Sequence, residues 1–447
     1  MIPQHLRDTT LRVHDRLEAA TGRSIPLRLW DGTLVGPADR PYRLVIHHPS
    51  ALRALLLSPN DLRAGQLYAF GDVDVHGDMV ALLHDITALR GHRLPRGVRA
   101  TLLSTALRLP SAPRRRDGRR ARLAGSRHSI DRDRAAVQFH YDLGNDFFQL
   151  FLDQRLVYSC AYFAAPDEPL DPAQERKLDL VCRKLRLQPG ERLLDVGCGW
   201  GALVAHAAER YGVTAVGVTV SARQAELARE RIARAGLAAR VTILLADYRE
   251  VEGTFDAVAS VGMFEHVGPD HLAAYFATCF RLTARGGRFL NHGITTGRRA
   301  ATVDFSRQDR SFAARYVFPD GGLVPAWTAV RHVQEAGFEV VDLEQLRSHY
   351  ALTLRRWLER LESNREAAVG AASEVDYRVW RAYLAASVVG FETGDLGVVQ
   401  VLGSKGAALP LGRSWMLPPA RRAADVMPGV VGSTAPADEL RRLRGWS

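Results

Sequence analysis

Residues 193–201 read LLDVGCGWG, and this stretch decides the fold. Leu193, Leu194 and Val196 around Asp195 form an apolar run of the kind buried in a parallel sheet. Gly197, Gly199 and Gly201 follow, and the run Ala202–Tyr211 reads as a helix. A strand that turns on glycines into a helix lets the backbone come close to a ligand, because no Cβ intervenes. In open α/β sheets such a turn lies at the carboxyl end of the strand, where ligands bind. A dinucleotide site would need a carboxylate at the end of the next strand to hold the ribose. That strand, Thr214–Val218, continues through Thr219, Val220 and Ser221 without one.

The spacing D-x-G-x-G-x-G from Asp195, with Asp247 further on, resembles class I S-adenosylmethionine-dependent methyltransferases. The surrounding chain has the alternation such a sheet needs. Candidate strands are Arg192–Val196, Thr214–Val218, Val241–Leu245, Ala257–Val261 and Arg288–His292. Candidate helices are Ala202–Tyr211, Ala222–Ala235 and His271–Leu282. Gly212 and Gly236 stand where helices commonly end.

The 447 residues, 47% hydrophobic and 24% charged, suit a globular chain of two or three domains. No stretch approaches the roughly 20 apolar residues of a membrane span, and the first residues lack the apolar core of a signal peptide. Cys160, Cys182, Cys198 and Cys279 show neither paired nor metal-ligand spacing, so a reduced, cytoplasmic protein without a metal is expected. Only three of the 60 basic residues are lysines (Lys177, Lys184 and Lys405), and the formal charge is +11. Such a surface suits an anionic membrane or nucleic acid, and composition does not choose between them. The chain shows no nucleic-acid module, so no nucleic-acid partner is expected.

Four segments are expected. Residues 1–109 read as a small α+β N-terminal domain, with strand-like Leu27–Trp30 and Tyr42–His47 and a helical Leu52–Leu57. Residues 110–134, with nine arginines, read as a linker that is solvated or touches lipid phosphates. Residues 135–405 carry the Rossmann-like domain, and residues 406–447, rich in Pro, Gly, Ala and Arg, read as a poorly ordered tail.

Further short segments lie in order along the Rossmann-like domain. They are His140–Phe148 (HYDLGNDFF), Leu156–Phe163 (LVYSCAYF), Ser260–Gly268 (SVGMFEHVG), Asn291–Ile294 (NHGI), Arg315–Gly322 (RYVFPDGG) and His349–Leu354 (HYALTL). Together they resemble the cyclopropane-fatty-acyl-phospholipid synthases and their mycolic acid relatives, from about Phe139 to Gln400. The stretch Gly71–Gly77 is similar to the additional N-terminal domain of the phospholipid-acting branch. The resemblance implies an α/β, seven-stranded methyltransferase domain that adds a methylene to the cis double bond of an unsaturated phospholipid acyl chain. It also implies a peripheral enzyme on the inner face of the membrane, with homodimerisation open. By position it places bicarbonate, as proton acceptor, on Cys160, Glu265, His292, the backbone of Ile294, and Tyr350. It places S-adenosylmethionine on Tyr158, Ser159, Gly197, Gly199, Thr219, Val220 and Gln224, with Asp247, Tyr248 and Val261 around the adenine. Asp195 is expected to orient the glycine turn or to meet the amino group of the cofactor.

These residue types suit the chemistry. An alkene is a weak nucleophile that must be held in line with the sulfonium, and the carbocation it becomes must be kept from water. Tyr158, Tyr162, Phe163, Phe264, Tyr316 and Phe318 are candidate aromatic faces for that cation. Each residue also has a plain structural alternative. Cys160 alone reads as a small buried hydrophobe, His292 as a core histidine, and Tyr350 as the start of an amphipathic helix with Leu354, Trp357, Leu358 and Leu361. Two departures from the family pattern stand out. Ser387 replaces a cysteine, and Asn291-His-Gly-Ile294 replaces Leu-His-Thr-Ile, which leaves methyl- or methylene-branched products as an alternative to the ring. C-methylation of a natural product and non-catalytic lipid binding are the remaining readings.

Overall fold

The computed structural model describes residues 4–90, 92–111, 119, 121–141, 143–298, 303–304, 311–406 and 413. The chain divides into two units, Met1–Leu409 and Pro410–Ser447. The expected tail 406–447 lies outside the described residues except for Gly406 and Arg413, as do positions 112–118 and 120 of the expected linker.

The first unit begins with the helix Gln4–Thr21 and a small sheet. Its strands are β1 (Leu27–Arg28), β2 (Leu34–Val35), β3 (Tyr42–Ile46) and β4 (Val73–Gly77), in the order β2-β1-β3-β4. The helices Pro49–Leu57, Asp61–Ala69, Met79–Arg90 and Arg96–Arg108 complete this module.

The main sheet has seven strands: β5 (Arg192–Val196), β6 (Thr214–Thr219), β7 (Val241–Leu245), β8 (Phe255–Val261) and β9 (Thr283–Thr296), and later β12 (Glu339–Gln345) and β13 (Leu396–Ser404). A separate short ribbon pairs β10 (Val303–Asp304) with β11 (Gly322–Leu323). The main order is β12-β13-β9-β8-β5-β6-β7, and β13 runs antiparallel to both neighbours. The five candidate strands of the sequence coincide with β5 to β9, with β8 and β9 longer than expected. Leu193, Leu194 and Val196 are wholly buried because β5 is flanked by β6 and β8 and covered on both faces. The chain reverses direction across the sheet at β5, so a crevice opens at its carboxyl end. Gly197 has φ +83°, a conformation open to glycine but costly for L side chains. On β6, a Cβ at Gly217 would lie 2.8 Å from the Cys198 sulfur, so the turn packs against that strand only because Gly217 has no side chain.

The N-terminal module is clamped to the helix Glu374–Thr393. The Arg381 guanidinium donates to the Tyr68 hydroxyl (2.9 Å), to the carbonyls of Val75 (3.2 Å) and Gly77 (2.9 Å), and to Glu362 (2.6 Å). Arg378 donates to the Tyr68 carbonyl (2.8 Å) and to Asp74 (2.9 Å). These bonds satisfy the end of β4, and they fix the face of the module that turns toward the main sheet.

The helix Ile130–Tyr141 begins within the stretch expected as linker. Arg119 pairs with Asp376 and donates to the Tyr316 carbonyl, and Arg132 pairs with Asp320. These two arginines are thus held by carboxylates of the same unit, which differs from the expectation of a solvated or lipid-facing segment.

Arg381→Met should destabilise the protein by roughly 3–5 kcal/mol, because it strands a buried hydroxyl, two carbonyls and a carboxylate. Urea unfolding of the two proteins measures the difference, and a change below about 1 kcal/mol would refute the clamp.

Candidate active site

Two cavities meet at the carboxyl end of the main sheet. The first is the more polar of the two and lies over the glycine turn. All eleven residues expected to hold the cofactor line it, from Tyr158 and Ser159 through Asp195, Gly197, Gly199, Thr219, Val220 and Gln224 to Asp247, Tyr248 and Val261. The Thr219 hydroxyl donates to Gln224 (2.8 Å), which joins the end of β6 to the next helix. Asp247 caps a helical turn and pairs with Arg249, which also reaches Asp133 (2.9 Å). Trp200 donates to Asn145 (2.8 Å) and so ties the His140–Phe148 segment to the glycine turn.

The fit to S-adenosylmethionine rests on two details. Asp195 has a buried oxygen without a partner, and burial pushes its carboxyl up to about 7. At Gly199 a Cβ would meet no protein atom within 4 Å, so the turn leaves room beside it.

The second cavity is apolar, has a volume of about 470 Å³, and lies between the main sheet and the N-terminal module. Leu44, Ala64, Tyr68, Val75, Leu82 and Leu83 supply one wall, while Phe318, Leu354, Tyr383 and Ser387 belong to the other. Of the five residues expected at the proton acceptor, Glu265, Ile294 and Tyr350 line this cavity. Glu265 sits on the short helix Phe264–Val267 directly after β8. Its carboxyl accepts from its own N–H and from that of Ile294, one oxygen has no partner, and burial pushes the group up to about 7.

Cys160 and His292 line neither cavity. The Cys160 thiol points to the carbonyls of Ala161 (3.2 Å) and Leu346 (3.7 Å), and burial pushes it far above the usual thiol range. The Leu346 carbonyl also accepts from the Tyr350 backbone N–H (3.0 Å), so the two residues stand near one another. His292 is bonded through Nδ1 to Gln400 on β13 (3.1 Å), and burial holds its ring neutral. The helix Arg347–Ser363 buries Leu354, Trp357, Leu358 and Leu361 as its amphipathic pattern requires.

An aromatic partition separates the cavities. Tyr158, on the polar side, bonds through its hydroxyl to Tyr383 on the apolar side, and its ring stacks on Trp357 at 5.1 Å. His266, on the polar side, faces Phe318 at 5.3 Å, and His140 stacks on Phe318 at 4.2 Å. Burial lowers His266 to about 4 and His140 to about 3, so both rings are neutral. Of the six aromatic candidates, Tyr158 and Phe318 are in the partition. Phe163, Phe264 and Tyr316 are packed in the core, and Tyr162 stacks on His349 away from both cavities. Sequence reading did not assign Tyr383, Trp380, His140 or Lys177; only their place in the fold brings them here.

The family model described as mycolic acid cyclopropane synthetase matches residues 128–401. The chain belongs to this family. It is an S-adenosylmethionine-dependent methyltransferase. It is 38% identical over 384 residues to a probable fatty acid methyltransferase of Pseudomonas putida, covering 85% of this chain and 91% of that protein. It is 41% identical over 267 residues to the cyclopropane-fatty-acyl-phospholipid synthase of Escherichia coli, covering 60% and 67%. The cyclopropane synthase MmaA2 of Mycobacterium tuberculosis superposes with a TM-score of 0.58 at 35% identity, over 61% of this chain and 98% of that one.

Two buried carboxyls, Glu265 and Asp195, keep their protons in the folded chain up to about pH 7, whereas unfolding returns them to about 4.5 and 3.8. The folded state then binds more protons at these two groups between those values, and their contribution to stability falls as pH rises through that window. Buried His140, His266 and His292 act in the opposite sense, so the carboxyl contribution is read by difference: in urea unfolding of the cofactor-free proteins, the stability of the native chain relative to Glu265→Gln should fall between pH 5.5 and pH 8.

Proposed function

We propose that the protein alkylates the cis double bond of an unsaturated acyl chain of a membrane phospholipid, with Glu265 collecting the proton released. One observation carries this reading: the cofactor cavity adjoins an apolar cavity that holds a buried, half-partnered carboxyl. S-adenosylmethionine, when bound, supplies an electrophilic methyl group. The acyl chain would lie between the N-terminal module and the partition, with its double bond toward Tyr158 and Tyr383. Such placement is worth up to roughly 7–11 kcal/mol of the barrier. The alkene π electrons would then form the new C–C bond to that methyl group as its bond to the sulfonium breaks, with the electron pair returning to sulfur to leave a neutral thioether and a carbocation on the chain. Aromatic faces contribute roughly 0.5–2 kcal/mol each to a desolvated cation, and the neutral rings of His140 and His266 add no opposing charge. The unpartnered oxygen of Glu265 accepts the proton, and the electrons of the broken C–H bond neutralise the cation.

Bicarbonate, implied by the family resemblance, would meet Glu265 and Tyr350 here. His292 is engaged by Gln400, and Cys160 faces two carbonyls. The proton is therefore assigned to Glu265 itself.

Which proton Glu265 takes separates two isomeric products. A proton from the new methyl gives a cyclopropane, and one from the neighbouring chain carbon gives a methyl-branched alkene. Two observations favour branching. The Pseudomonas putida relative, aligned along most of the chain, is named a fatty acid methyltransferase. In addition, Gly293 lets Phe264 close on β9 beside Glu265, because a Cβ there would lie 2.6 Å from the Phe264 ring.

Glu265→Gln should remove turnover while leaving S-adenosylhomocysteine binding within about twofold by calorimetry, because the residue lines the other cavity. In the native enzyme, kcat should rise with pH through about 7 as the Glu265 carboxyl ionises. A flat profile, or an active glutamine variant, would remove Glu265 from this role.

Lipids from a host making the protein should gain the mass of one CH₂ on monounsaturated chains, and mild hydrogenation of those products should add one H₂. Products that resist hydrogenation would identify the ring. Leu83→Trp, in the N-terminal wall, should lower kcat/KM for the longest chains by roughly tenfold or more relative to short ones.

A further inference from the structure

Lys177 has no assigned role, yet it is enclosed at the floor of the cofactor cavity with only 2% of its surface exposed. It lies on the helix Leu170–Lys184, one turn after Gln174. Gln174 donates to the carbonyls of Ser159 (2.8 Å) and Val157 (3.3 Å), and the Lys177 ammonium donates to the Ser159 hydroxyl oxygen (2.8 Å). The helix thus fixes both the backbone and the hydroxyl of Ser159. An ammonium has three hydrogens, and this is the one hydrogen bond recorded for it among the described residues. Because Lys177 occupies a lone pair of the Ser159 oxygen, the hydroxyl proton of Ser159 is left to point elsewhere, and Ser159 itself lines the cavity.

Opposite stands Asp195, 3% exposed, with its orphan oxygen. The two side chains feel each other's charge, but no ion pair within 4 Å joins them among the described residues. A buried cation and a buried carboxylate that do not touch leave room for a group of the opposite polarity at each. S-adenosylmethionine carries one such group, the zwitterionic amino-acid end, with a carboxylate and an ammonium on a single carbon. The other strongly basic residue of the cavity, Arg249, is taken by Asp247 and Asp133.

We infer that Lys177 is the counter-charge for the cofactor carboxylate, acting directly and through the Ser159 hydroxyl, while Asp195 receives the cofactor ammonium. Held at both ends, the amino-acid moiety fixes the direction in which the sulfonium methyl points. The groups around Lys177 agree with this. Burial opposes its charge, and Asp153 and Asp195 favour it, leaving the amine at about 8. A second carboxylate from the cofactor would shift that balance toward the ammonium. The inference rests on the cofactor site alone and is independent of the acyl substrate.

The test compares S-adenosylhomocysteine with its decarboxylated analogue, which keeps the amine and the thioether and lacks only the carboxylate, by calorimetry at pH 7. The native protein should bind S-adenosylhomocysteine more tightly by roughly 10- to 100-fold. Lys177→Met and Lys177→Gln should erase that gap by weakening S-adenosylhomocysteine alone, whereas Asp195→Asn should weaken both ligands. If the native protein does not distinguish the ligands, the inference fails even where neither lysine variant folds. Equal weakening of both ligands by Lys177→Gln would make Lys177 a structural residue and overturn it as well.

Discussion

The carbocation proposed for the acyl chain would survive only where water is absent, and the apolar cavity between the main sheet and the N-terminal module meets that requirement. The methyltransferase sheet supplies a polar crevice, and an open crevice of that kind cannot exclude water from a lipid chain. The N-terminal module closes the space by adding a second apolar wall, from Leu44 to Leu83, across from Phe318 and Tyr383. Its position depends on Arg381 and Arg378, which bind backbone carbonyls at β4 and the preceding helix as well as side chains. Charged groups are thus used to seat an apolar surface, and they do so outside the cavity they help to form.

The partition between the cavities solves a related problem. The cofactor needs hydrogen-bonding groups and charges, and the chain needs their absence. Tyr158 lines one cavity and Tyr383 the other, and their hydroxyls meet, so one contact serves both environments. His140 and His266 fit the same logic, because burial keeps both rings uncharged.

Much of this was legible in the sequence where the signal was local. β5 could be read because an apolar run ends on three glycines, whereas the cofactor residues were reached through the family resemblance, since Tyr158 and Ser159 stand in a loop between two helices, far in sequence from any strand end. β12 and β13 were not found. Glu339–Gln345 lies at the sheet edge with mixed exposure, and Leu396–Ser404 follows a 20-residue helix with only a short turn between. Without β13 the partner of His292 is invisible, since Gln400 meets it only through the β9–β13 register. The apolar cavity escaped for a similar reason, because Leu83 and Tyr383 are far apart in sequence and become neighbours of one space only on folding. Lys177 reads as an ordinary helix-surface lysine until the Ser159 loop covers it.

The rarity of lysine has a consequence of its own. Lys177 and Lys184 are enclosed, and Lys405 is held by the carbonyls of Phe280 and Thr283. The positive exterior is therefore guanidinium, whose charge persists to about pH 12, while the ionisations near neutrality that govern reactivity belong to enclosed groups such as Glu265, Asp195 and Lys177. Alkalinity would reach the chemistry of this enzyme long before it altered the charge of its exterior.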